Sequence, residues 1–148
     1  MAKEVTLRLP DATADRLEAA ARAAGLSLDE LGARAIEESL RQAEFPEIEF
    51  RDYGKERLAC VKGFIRVWKV IFTGRSYDFD VEKTAYHFQV PASRIEAAFT
   101  YYRAYPEESN RIIAENQAMT YEAIKQMLPD THLITVNLDP IDENRMAS

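Results

Sequence analysis

Side chains able to do chemistry are sparse in this chain. His87 and His132 are its only histidines and lie 45 positions apart. Neither stands near the cysteines or paired carboxylates that complete a metal site, so both read as ordinary core or surface histidines. Cys60 is the only cysteine, which removes an internal disulfide framework and a thiolate cluster. It reads as a small buried hydrophobe rather than a reactive thiol. With 5 glycines in all, the chain has no glycine-rich phosphate loop, nucleophile elbow or paired-histidine metalloprotease motif. The tyrosines within residues 99–105 could stack on bases, but their helical spacing assigns them to a core and its rim. No catalytic residue, metal or cofactor is expected, and the chain does not read as an enzyme.

What remains is binding chemistry, and charge is the first guide to it. The 148 residues carry a net charge of −6. Residues 1–44 hold 6 basic and 9 acidic groups, residues 45–115 hold 11 of each, and residues 116–148 hold 2 against 5. Both ends are therefore acidic. Residues 51–75 are the one basic stretch, with 7 basic groups (Arg51, Lys55, Arg57, Lys62, Arg66, Lys69, Arg75) against Asp52 and Glu56, a weak pointer to an anionic partner. A hydrophobic share of 47% suffices for one fair core or two small ones. The apolar run Val67 to Phe72 is interrupted by Lys69 and too short to span a bilayer, and the N-terminus has no apolar signal core, so a cytoplasmic protein with no membrane partner is expected.

The elements that position any binding surface begin with "VTLRLP", Val5 to Pro10, which alternates apolar and polar like a strand. A strand needs a neighbour for its backbone N–H and C=O groups, and nothing nearby supplies one. Next, "DATADRLEAAARAAG" sets Leu17, Ala20, Ala21 and Ala24 on one helical face, with Gly25 as the stop. Ser27 and Glu30 form a capping box that opens a second helix carrying Leu28, Leu31, Ala35, Ile36 and Leu40. Two helices this short, with so thin an apolar stripe, cannot close a core from one copy.

This run, "VTLRLPDATADRLEAAARAAGLSLDELGARAIEESLRQ", resembles a ribbon-helix-helix domain of bacterial repressors and antitoxins over nearly all of residues 3–42. The resemblance implies a two-fold dimer in which Val5–Pro10 pairs antiparallel with its own copy. Val5, Leu7, Leu9, Leu17, Leu31, Ile36 and Leu40 would then form the dimer core. Period two turns Glu4, Thr6 and Arg8 outward, where the family's ribbon enters the DNA major groove. Arg8 suits guanine and Thr6 a thymine methyl, while Glu4 can accept only from a donor such as cytosine N4. The backbone of Ser27 and Leu28 takes the family's phosphate-anchoring position. Asp29 and Glu30 stand beside it and oppose an anion, so a domain that dimerises without binding DNA is the competing reading.

Residues 43–56 read as a connection with a short extended piece, Ile48 to Arg51, and a domain boundary near Pro46. "RLACVKGF" alternates loosely around Gly63, "IRVWKVIFTG" predicts a short helix ended by Gly74, and "DVEKTAYHF" and "ASRIEAAFTYYRAY" predict two more. Pro91 suits the first position of the last of these. "FPEIEFRDYGKERLACVKGFIRVWKVI" and "VPASRIEAAFTYYRAYPEE" resemble the bacterial domain-of-unknown-function family numbered 433. Val67-Trp68 and the Tyr101, Tyr102, Tyr105, Pro106, Glu107, Glu108 ending carry the resemblance. Phe64 and the segment Tyr53 to Glu56 depart from the family pattern. The resemblance implies a small winged-helix-like or helix-turn-helix-like three-helix domain over residues 45–106 and, through operon company, an antitoxin role beside a PIN-like ribonuclease toxin.

From Glu107 to Leu128 an apolar stripe of Ile112, Ile113, Met119, Ala123, Ile124, Met127 and Leu128 predicts a long helix, which Pro129 stops. "HLITVNLDP" then predicts a strand, Leu133 to Leu138, with Ile134 and Val136 on it. Residues 107–148 thus have the layout of a toxin-wrapping segment, in which the helix fills a groove, the strand augments an edge and Arg145 reaches an acidic nuclease site. The alternatives are that the segment packs back on residues 57–105 or forms a second dimer contact. The expected protein is mostly α: a ribbon-helix-helix dimer over residues 1–44, the small helical domain, and a C-terminal helix and strand. Its expected role is an antitoxin that neutralises a ribonuclease toxin and represses its own promoter. A homo-oligomeric DNA-binding or scaffolding protein without a toxin is the alternative.

Overall fold

A computed structural model of the chain describes residues 2–128. They are mostly helical, with one two-stranded antiparallel sheet, and the chain divides into two units between Glu44 and Phe45.

In the first unit, residues 2–10 have no secondary structure in the single chain and all are exposed. The strand expected at Val5–Pro10 is therefore not formed within one copy. Helix α1, Asp11–Ala24, starts after Pro10 and ends at Gly25, whose φ of 67° lets its N–H turn back onto the last carbonyls. Leu26 donates to Ala21 O at 3.0 Å, and this pair of return bonds closes the helix end as a left-handed glycine allows. Helix α2, Leu28–Glu44, follows at once. The two helices meet around Gly32, where an added Cβ would lie 3.9 Å from Leu17 Cδ2. Among the residues of α1 and α2 only Ala21 and Leu31 are buried.

The second unit opens with a hairpin in place of the expected loose connection. Strand β1, Ile48–Tyr53, pairs with β2, Glu56–Val61, from Ile48 opposite Val61 to Tyr53 opposite Glu56. The two-residue turn has Gly54 at φ 63°, a conformation glycine adopts without steric cost. Ile48, Ala59 and Val61 face a core completed by α3 (Val67–Ser76), α4 (Val81–Phe88), α5 (Ala92–Ala104) and α6 (Glu107–Met127). Val67, Val70 and Ile71 of α3, Ile95 and Ala98 of α5, and Ile113 of α6 are all 1% exposed or less.

Two local expectations are corrected. Gly74 does not end α3 but lies inside it, buried, where an added Cβ would sit 2.8 Å from the Phe99 ring. Its role is close packing of α3 on α5. Pro91 caps α5 from outside, ahead of the first helical residue, Ala92. Between α3 and α4, Asp78 and Phe79 hold φ of 53° and 58°, a strained conformation for a ring-bearing residue. Phe79 is held there by its N–H bond to Gly74 O at 2.8 Å and by its ring contact with Phe99. No helix among the described residues is long and apolar enough to cross a membrane.

Candidate functional site

The exposed apolar residues of the first unit are its most informative feature. Val5, Leu7 and Leu9 are 71%, 57% and 42% exposed, and Ile36 and Leu40 are 46% and 63% exposed. Leu17 is half-buried and Leu31 buried. A unit of this size ordinarily buries its large aliphatic side chains, because each contributes about 1.5–3 kcal/mol on leaving water. Here five of the seven residues expected in a dimer core stand in solvent when a single copy is considered. Glu4, Thr6 and Arg8, on the opposite register of the same segment, are exposed as well.

The start of α2 carries the capping box read from the sequence. Glu30 N–H donates to Ser27 Oγ at 3.0 Å, and Ser27 N–H donates to Glu30 Oε2 at 3.3 Å. This reciprocal pair gives the Ser27 N–H to a carboxylate, in competition with the phosphate contact expected there. Leu28, 44% exposed, keeps a helix-terminal N–H directed away from the helix body. The Glu30 carboxylate beside it weakens the pull of the positive helix end on an anion.

The basic stretch is largely absorbed within the second unit. Arg51 pairs with Glu49 at 2.6 Å and Arg57 with Asp52 at 3.2 Å. Arg66 lies over the Tyr53 ring at 4.5 Å, and Arg75 donates to Asn110 Oδ1 at 2.7 Å. Arg57, Arg66 and Arg75 therefore link one element to another, while the Arg51 pair lies within β1 at the surface. Cys60 is buried. Burial pushes its thiol above the usual range, against a hydrogen bond with the Tyr53 hydroxyl at 3.4 Å that acts the other way. The same contact pushes the Tyr53 phenol up, with burial adding to it.

The tyrosine cluster is used in packing. Tyr101 is 1% exposed and packs edge-on against Phe45 with centroids 5.5 Å apart. Tyr102 stacks on Phe79 and donates to Asn110 Oδ1 at 2.6 Å. His87 Nδ1 is 3.1 Å from the Tyr77 hydroxyl, while His132 lies outside the described residues. Among the described residues, no three His, Cys, Asp or Glu side chains gather in a way that could hold a metal ion.

The expected toxin-facing stripe of α6 splits in two. Ile112, placed on that stripe, is 6% exposed and belongs to the folded unit together with Ile113 and Ser109. A side chain already packed within its own unit leaves little surface for the partner contact expected of it. Further along, Met119, Met127 and Leu128 are 69%, 80% and 56% exposed and Ile124 is half-buried. The expected strand Leu133–Leu138, with Ile134 and Val136, and Arg145 lie outside the described residues.

Sequence reasoning missed two features. Glu108 accepts the Ala59 N–H at 3.1 Å across 49 residues of sequence, and no local pattern signals a bond of that span. A cleft between α3, α4 and α6, lined by Trp68, Lys69, Phe72, Phe88 and Met119 among others, draws on three helices whose meeting the periodicity of each does not reveal. Comparison of the chain with protein-family models, with curated proteins and with solved structures finds no match.

Proposed function

We propose that this protein is a homodimeric antitoxin that represses its own promoter and blocks a ribonuclease toxin. One observation carries the first part: the apolar set Val5, Leu7, Leu9, Ile36 and Leu40 stands exposed on a unit whose helices bury only Ala21 and Leu31. A second copy would cover that set and provide an antiparallel neighbour for Val5–Pro10, as the ribbon-helix-helix resemblance implies. The outward register then presents Glu4, Thr6 and Arg8 to DNA, with Leu28 at the start of α2 the remaining backbone donor toward phosphate. The second unit is a winged-helix-like module of the family-433 kind in this reading, and the toxin is taken by the exposed apolar end of α6.

A second reading is favoured by the burial of Ile112, Ile113 and Ser109. The first half of α6 is structural, so the protein would be a homo-oligomeric DNA-binding or scaffolding protein without a toxin. Co-expression with the product of the adjacent reading frame separates the two. Co-purification with loss of a ribonuclease activity supports the antitoxin; a dimer that binds DNA and captures no such protein supports the alternative.

A further inference from the structure

The cleft between α3, α4 and α6 of the second unit has a volume of about 520 Å3, within the range of small-molecule sites. Its walls are mostly apolar: Trp68 and Phe72 from α3, Phe88 from α4, and Ile113 and Met119 from α6. Phe72 is 50% exposed, so this wall is open to solvent rather than filled by the protein's own core. One lining residue is charged. Lys69 is partly buried, its stem lying along apolar surface with the ammonium left at the edge, and among the described residues it pairs with no carboxylate. Its ammonium is 5.8 Å from the Trp68 ring centroid, held at the aromatic wall. Among the described residues, no acidic one lines the cleft.

We propose that this cleft binds a small apolar carboxylate, its hydrocarbon or aromatic body against Trp68, Phe72 and Met119 and its carboxylate at the Lys69 ammonium. An apolar body recovers the free energy of the exposed aromatic and thioether surface. A single negative charge matches a single cation. A doubly charged phosphate would lose more hydration in this apolar setting than one ammonium restores, and such groups are ordinarily met by several donors or an arginine fork. Thr73 and the Asn116 amide, which also line the cleft, can serve the second carboxylate oxygen, while Thr120 already gives its hydroxyl proton to the Asn116 carbonyl at 2.9 Å. The site lies wholly within the second unit and does not rest on the dimer or toxin reading.

Trp68 is the only tryptophan of the chain, so its fluorescence reports on the cleft directly. The probe is 4-phenylbutyrate, titrated into the full-length protein, with 4-phenylbutan-1-ol as its uncharged counterpart and calorimetry as a second readout. Saturable binding of the carboxylate is expected, with the alcohol weaker by roughly tenfold, the size of one charge-assisted contact. Lys69→Met should weaken the carboxylate to the level of the alcohol, Met119→Ala should weaken both ligands, and Lys83→Met, outside the cleft, should change neither. Absence of saturable binding at millimolar concentration, equal binding of acid and alcohol, or an unchanged affinity in Lys69→Met each overturns the proposal. Should Lys69→Met melt early, the comparison of acid with alcohol on the unaltered chain decides.

Discussion

The Glu108 carboxylate accepts the backbone N–H of Ala59 at 3.1 Å, tying the first turn of α6 to the edge of β2 that β1 does not cover. Among the described residues the sheet has two strands, and this edge N–H faces away from β1, so Glu108 supplies its partner. With Ile112 and Ile113 buried one turn later, the first half of α6 is part of the second unit. A chain ending at Pro106 should therefore lose stability sharply, since Ile113→Ala alone is expected to cost about 2–5 kcal/mol. A chain ending at Ala118 retains Glu108, Ile112 and Ile113 and should melt close to the full-length protein. Thermal melts of the two truncations check this, and loss of toxin inhibition in the longer one would locate partner binding on the end of α6.

Close approach of α3 and α5 depends on Gly74. The missing Cβ makes room for Phe99, which would otherwise stand 2.8 Å away. Gly74→Ala should destabilise by about 1–3 kcal/mol through overpacking, measured by urea unfolding. An additional Phe99→Leu substitution should recover part of that loss, because it removes the ring that collides.

Alkaline pH should weaken the fold. The folded Cys60 thiol and Tyr53 phenol both lie above their ordinary values of 9.0 and 10.0, so the folded state prefers their neutral forms. Their contribution is present in full below pH 9 and is lost as pH rises toward the folded values. The Tm should fall over that window, and Cys60→Ala should flatten the decline. The buried thiol should also resist maleimide until the protein unfolds.

Base reading by the N-terminal segment predicts that Arg8→Ala costs roughly 1–3 kcal/mol on a specific operator while leaving the dimer intact. Binding should weaken steeply with salt. Electrophoretic or anisotropy titrations on the protein's own promoter measure both. An unchanged affinity moves recognition away from Arg8.

Local chemistry made part of this fold legible. The Ser27–Glu30 box, the Gly25 stop and the span of α6 each depend on a few neighbouring residues, and they stand where periodicity and capping put them. The hairpin escaped because its turn signal, Gly54-Lys55, is two residues inside a charged stretch that reads as a loop. Gly74 is a related case. A glycine near a helix end looks like a terminator until the helix packed against it is known. Glu108 to Ala59, Lys69 beside Trp68, and the burial of Ile112 are tertiary relationships, and helical spacing alone does not distinguish a stripe facing its own core from one facing a partner.

The central claim is that Val5–Pro10 and the α1–α2 pair complete their core with a second copy, and the molar mass of the full chain by light scattering tests it most directly. The expected result is twice the 16.9 kDa of one chain at micromolar concentration, and a single-chain mass with the second unit still folded for Leu7→Asp, which places a charge in the shared core. A full-length protein that is monomeric at tens of micromolar, or a Leu7→Asp variant that remains dimeric, would contradict it.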